Sequence, residues 1–119
     1  MPRFVLLEHD APTGLHWDFM LEEGDQLATW SLPSVPKQGA TLVCHQLGGH
    51  RVEYLEYEGP VSRGRGQVSR VDRGEFQWID QKADRLEIEV KGDALDGRIV
   101  LAQEKQGGES HWRLTYEER

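Results

Sequence analysis

The sequence predicts a mostly-β protein with little helix, an antiparallel barrel or sandwich. Three observations support the β class. Period two dominates the apolar pattern rather than 3.6, short apolar segments recur between Gly-containing turns, and no helix-length amphipathic stretch stands out. Arg3–Glu8 (RFVLLE) reads as a short apolar strand. Leu15–Glu22 (LHWDFMLE) alternates, with Leu15, Trp17, Phe19 and Leu21 on a core face and His16, Asp18, Met20 and Glu22 opposite. Glu23-Gly24-Asp25 signals a turn, and Gln26–Leu32 alternates again, so 15–32 reads as a hairpin. Two prolines within Ser31–Gln38 mark a loop or edge crossing. Shorter strands are expected near Thr41–Cys44 and Arg51–Tyr57, then a loop over Gly59–Gly66. Gln67–Val71 and Phe76–Ile79 read as strands around an Asp72-Arg73-Gly74 turn, and Asp80–Arg85 as a turn or two of helix. Arg85–Val90, Arg98–Gln103 and Ser110–Tyr116 complete the set, separated by Gly-Asp turns and the Gln106-Gly107-Gly108 break. No repeat, linker or low-complexity stretch divides the chain, so a single domain over 1–119 is expected.

Composition narrows the function classes. Four Trp, three Tyr and three Phe in 119 residues exclude a disordered chain. No apolar run approaches the roughly 18 residues of a membrane span. The opening MPRFVLLEHD lacks a small-residue cleavage site, and the single Cys44 has no intrachain partner, so a cytoplasmic location is expected. Net charge is −7. Residues 1–60 hold 3 basic and 9 acidic side chains, residues 61–119 hold 11 and 12. Affinity for phosphate chains comes largely from Lys and Arg, so contact with a polyanion must be local. The one local basic stretch is Arg63, Arg65, Arg70 and Arg73.

The polar face of Leu15–Glu22 carries the first candidate chemistry. His16 and Asp18 stand two residues apart on one face, their Cβ atoms roughly 6–7 Å apart, so both can reach one ion. A lone His-x-Asp pair also describes an ordinary solvent face. His9 changes the balance: the Ala11-Pro12-Thr13-Gly14 turn brings it back towards His16. Two imidazoles and a carboxylate suit a divalent ion such as Mn²⁺ or Zn²⁺ and leave positions open for a substrate oxygen. His50 follows Gly48-Gly49, with Tyr54 four residues on. His45 and His111 read as surface or packing residues. Gly64-Arg65-Gly66 is either a phosphate cradle with an arginine at its lip or a flexible turn.

Four segments occur in a telling order: His9–Glu22 (HDAPTGLHWDFMLE), Thr29–Pro33 (TWSLP), His50–Gly59 (HRVEYLEYEG) and Val71–Phe76 (VDRGEF). Together they resemble the 3′-phosphoesterase domain of bacterial DNA ligase D, over most of the chain from Phe4 to Trp112. That family has a histidine, then a Leu-His-aromatic-Asp-Phe-Arg-Leu-Glu strand, a Trp-x-aliphatic-Pro step, and a His-Pro-x-x-Tyr segment leading into Phe-Glu-Gly. The resemblance implies a compact antiparallel β-barrel with little helix, whose surface active-site groove holds one divalent metal, preferentially Mn²⁺. It implies removal of a 3′-terminal phosphate or ribonucleoside from DNA primer ends during repair, beside ligase or polymerase partners. Carried over by position, His9, His16 and Asp18 match its metal ligands. His50 matches a histidine on the scissile phosphate, and Tyr54 its active-site tyrosine.

The departures shape the expectation. Met20 stands where the family strand has a phosphate-binding arginine, and a thioether supplies neither charge nor donor. Loss of one preorganised donor typically costs on the order of 10²–10³ in rate, so reduced activity is expected. Arg63 or Arg65 is the candidate substitute, with Arg65 taken as phosphate-binding. Ser34 follows Pro33 where a lysine is expected, and the His9–His16 spacing is one residue longer than the family's. DNA 3′ ends are therefore expected as weakly held partners. Two alternatives stay open: the same metal chemistry on a small phosphoester, and a catalytically weak module that binds nucleic acid or a protein partner.

Overall fold

A computed structural model describes residues 1–106 and 109–119. Its strands are β1 (Arg3–Ala11), β2 (Gly14–Glu23), β3 (Gln26–Leu32), β4 (Thr41–Arg51), β5 (Gly59–Pro60), β6 (Gln67–Lys82), β7 (Arg85–Gly92), β8 (Asp96–Gln106) and β9 (Glu109–Glu118). The sheet runs β1-β2-β3-β4-β9-β8-β7-β6-β5, and β1 also pairs with β6. Eight strands therefore form a closed hydrogen-bonded ring with β1 as the seam, every pairing antiparallel. Closure removes the exposed edges that an open sheet must otherwise protect. The protein is mostly β, as its alternation predicts.

Each long strand of the ring sends side chains to one shared core, among them Phe4, Phe19, Trp30, Cys44, Phe76, Ile88, Ile99 and Leu114. A smaller cluster occupies the other face of β1–β3 and the start of β6: Val5, Leu7, Met20, Leu27, Leu55 and Val68. It is covered by the 52–61 stretch, through partly buried Val52, Tyr54 and Val61. Burying both faces explains the unbroken Phe4-Val5-Leu6-Leu7 run, whose residues are at most 1% exposed. It also shows that the face of β2 opposite the main core is itself covered. Met20, expected opposite the core, is buried in the second cluster, while Leu15 protrudes past the core and is 52% exposed.

Three other expectations change. Arg51–Tyr57 is not a strand: β4 runs on to Arg51, and a single 3-10 turn, Val52–Leu55, follows. Asp72-Arg73-Gly74 is not a turn either. It lies inside the 16-residue β6, which changes partner from β1 to β7 there. Asp72 is almost fully buried, and its carboxylate accepts hydrogen bonds from the backbone N–H of Arg73, Asp93, Ala94 and Leu95 at 2.7–3.1 Å. A turn-forming side chain thus caps the β7–β8 loop from a neighbouring strand. Asp80–Lys82 ends β6 rather than forming helix. The Gly107-Gly108 part of the expected break lies outside the described residues. Among the described residues, no helix is long and apolar enough to cross a membrane.

Candidate active site

The β1–β2 register sets His9 directly opposite His16 and Leu7 opposite Asp18. Directly opposed residues hold their Cβ atoms roughly 4.5–5.5 Å apart, and diagonal neighbours remain within reach. A tight Pro12-Thr13 connection ending in Gly14, at φ +131°, makes this register. The His9 and His16 ring centroids lie 4.6 Å apart. His9 Nδ1 is 3.1 Å from Asp18 Oδ2, and His16 Nε2 is 3.0 Å from Asp18 Oδ1. One nitrogen or oxygen from each of the three residues falls within 4.8 Å of the others, a set able to hold a metal ion. Among the described residues, no other group of three His, Cys, Asp or Glu side chains converges in this way.

The local chemistry suits a cation. Asp18 is 2% exposed, and its Oδ1 has no hydrogen-bond partner despite the nearby imidazole. A buried carboxylate oxygen left in that state is costly. His9 Nε2 contacts the Arg65 carbonyl oxygen at 2.7 Å, so it donates there. In a neutral ring Nδ1 then aims a lone pair at a carboxylate, an arrangement that a cation between them relieves. These residues fit a divalent ion with mixed nitrogen and oxygen ligands.

His9, Asp18 and Met20 also line a hollow of about 330 Å³, together with Gly48, Gly49, His50, Arg51, Tyr54, Val61, Arg65 and Val68. Most of the expected site thus meets in one place, although His16 does not line the hollow itself. His50 closes β4 opposite Leu27, and its Nδ1–H donates to the Gly48 carbonyl at 2.8 Å, leaving Nε2 free. Tyr54, on the 3-10 turn, packs its ring edge-on to His50 with centroids 5.9 Å apart. Arg65 lines the hollow, but its guanidinium is tethered to Ser62, to the carbonyl at 2.9 Å and the hydroxyl at 3.0 Å. Arg63, in a left-handed conformation at φ +63°, is not part of the lining. Neither His45 nor His111 joins the site: His45 sits exposed on β4, and His111 pairs with Glu104 at 3.3 Å.

Sequence reasoning missed Arg51, whose mostly exposed side chain lines the hollow and stands 3.9 Å from Glu53. Its signal was its place directly after His50. It also missed what the 62–66 loop contributes, which is the carbonyl of Arg65 rather than only its side chain. Two arginines against one carboxylate make this hollow locally cationic on a protein of net charge −7.

A closed antiparallel ring bearing a half-buried His-His-Asp cluster beside a cationic hollow defines a β protein with a candidate divalent-metal centre. Residues 7–103 match the DNA Ligase D 3′-phosphoesterase domain, and the chain belongs to that family. The multifunctional non-homologous end joining protein LigD of Pseudomonas aeruginosa is 30% identical over 124 residues. That alignment takes in 95% of this chain and 15% of the LigD protein, so the chain spans about a seventh of its relative.

Proposed function

We propose that this protein is a metal-dependent phosphoesterase that trims a 3′-terminal phosphate or ribonucleoside from DNA ends in repair. The closed ring is read as a β-barrel, residues 1–119 as one 3′-phosphoesterase-like domain, and the His50 hollow as its surface groove. The observation that carries this reading is Asp18: a buried carboxylate between two imidazoles, with one oxygen unpartnered, at the wall of a cationic hollow. His9, His16 and Asp18 are the ligands, and Mn²⁺ is the ion proposed. Bound there, a divalent ion withdraws charge from a phosphoryl oxygen and so lowers the barrier to attack.

The remaining work falls to the chain's own groups. Water adds to phosphorus, the bond to the leaving oxygen breaks, and that oxygen takes a proton. His50, fixed by its Nδ1–H bond to Gly48, presents Nε2 to bind the phosphoryl oxygen or to hand over that proton. Tyr54 orients the phosphate or the water. Arg65, with Arg51 beside it, supplies the cationic wall that Met20 does not.

A second reading keeps this chemistry but takes a small phosphoester, and the acidic surface with Met20 in the arginine position favours it. Mn²⁺-dependent assays on a 3′-phosphate primer, a 3′-ribonucleoside primer and bis(p-nitrophenyl) phosphate separate the two. Turnover of either primer supports end trimming, whereas turnover of the aryl ester alone supports the small substrate. Mn²⁺ binding with no hydrolysis of any of the three sinks both and leaves a binding module.

A further inference from the structure

Next to the phosphoryl hollow lies a second one, of about 250 Å³, walled by Arg51, Glu53, Tyr54, Tyr57, Pro60 and Val61. Arg51, Tyr54 and Val61 belong to both, so the two hollows adjoin along those side chains. Building on the phosphoesterase reading, we propose that this second hollow holds the planar base of the departing nucleoside, with Tyr57 as its stacking face.

Tyr57 is held as a platform. Its hydroxyl donates to the Pro60 carbonyl, and its ring meets the Tyr54 ring at 88° with centroids 5.8 Å apart. Gly59, at φ +131°, makes room beneath it: a Cβ there would stand 3.2 Å from the Tyr57 hydroxyl. Tyr57 is nonetheless 37% exposed, so its aromatic side chain is both held and accessible to a ligand. An immobilised aromatic face binds bases by stacking, with little sequence preference and little ordering cost.

Charge decides which part of a substrate enters. The Glu53 carboxylate at the rim, 71% exposed, is paired with Arg51 at 3.9 Å, so the two charges offset and leave no net attraction for a further phosphate. The carboxylate accepts hydrogen bonds from a sugar hydroxyl or an exocyclic amine. An uncharged nucleoside suits this hollow better than a continuing polyanionic strand. Tyr57 is absent from the lining of the first hollow, so its loss should spare phosphoryl chemistry.

The test compares kcat/KM on three primers: one ending in a phosphodiester-linked ribonucleoside, one in the same linkage to abasic ribose, one in a 3′-phosphate. The parent should favour the base-bearing end over the abasic end by about tenfold, the scale of one stacking contact. Tyr57→Ala should abolish that preference and leave 3′-phosphate removal unchanged. Tyr57→Phe, which keeps the ring and loses the Pro60 bond, should retain it. A preference that survives Tyr57→Ala, or an equal loss on all three primers, overturns the proposal. A binding measurement reads the same hollow without turnover. Titrated with Mg²⁺ present, adenosine 5′-monophosphate should shift the Tyr57 ring resonances and ribose 5-phosphate should not. Equal shifts, or none, overturn the base site even if the protein proves inactive. Failure of the parent on every primer instead counts against the phosphoesterase reading.

Discussion

Asp18 shows how a single side chain can be placed for chemistry at the expense of stability. It is nearly inaccessible, carries an unpartnered oxygen, and faces two imidazoles at about 3 Å. Such a group resists burial unless charge is brought to it. Asp18→Ala should therefore abolish Mn²⁺ binding while the far-ultraviolet circular dichroism of the folded protein is kept. Adding Mn²⁺ should raise the melting temperature of the parent and leave the variant unmoved. Loss of the folded spectrum in Asp18→Ala would make the residue structural instead. Met20 poses the converse question. It is 1% exposed within the Val5, Leu7 and Leu55 cluster, yet it lines the His50 hollow. In Met20→Arg the aliphatic stem can take the thioether's seat while the guanidinium enters that hollow. Turnover on a 3′-phosphate primer should rise, by up to about 10²-fold if a full phosphate donor is restored. Equal or lower turnover, with fold and metal retained, shows that Arg51 and Arg65 already fill that need.

At the scale of elements, the site depends on a loop whose sequence suggests a phosphate cradle or a flexible turn and gives no sign that its backbone meets His9. The 62–66 segment leans on the end of β1 so closely that a Cβ on Gly66 would lie 1.9 Å from the Asp10 carbonyl oxygen. Gly66 also adopts φ +88°, a conformation other residues rarely take. That approach brings the Arg65 carbonyl onto His9 Nε2. Gly66→Ala should push the loop off β1, release His9 and weaken Mn²⁺ affinity by about 10–100-fold, the usual effect of removing a ligand's orienting partner. Calorimetric titration reads this directly, and unchanged affinity would mean that β1–β2 pairing alone fixes the imidazole. The hairpin that carries His9, His16 and Asp18 was legible because alternation and a Pro-Gly turn specify register locally. The 51–57 segment was not. Val52, Tyr54 and Leu55 look strand-like, but their apolar groups cover a second small core that no local period announces. In β6, Asp72-Arg73-Gly74 has turn composition because Asp72 caps a turn between other strands. Long-range pairing overrode local preference at that position.

The whole molecule is a ring whose interior must stay dry for the outer site to hold its shape. Its radius of gyration, 13.6 Å, equals the about 13.5 Å expected of a compact chain this long. The seam strand β1 belongs to both clusters, so the candidate metal ligand at its end, His9, is anchored by Phe4 and Leu6 on one side and Val5 and Leu7 on the other. Each fully buried side chain of that kind contributes about 1.5–3 kcal/mol. Cys44 gives a probe of this interior. It is fully buried on β4, its Sγ donates to the Trp112 carbonyl at 3.4 Å, and burial pushes the thiol from its usual 9.0 to about 12. Below pH 9 both folded and unfolded chains keep this proton. Between about pH 9 and 12 the unfolded chain releases it while the folded one does not, so the unfolded state binds fewer protons and stability falls as pH rises. The slope from this group approaches about 1.4 kcal/mol per pH unit. Urea unfolding of the parent and of Cys44→Ala at intervals from pH 8 to 11 isolates the effect from other titrating groups. The parent's advantage over the variant should shrink steadily above pH 9, and the thiol of the native protein should resist iodoacetamide until the ring opens. A constant difference between the two proteins, or rapid labelling under native conditions, would show that water reaches β4 and that the interior is not the sealed support proposed for the hairpin.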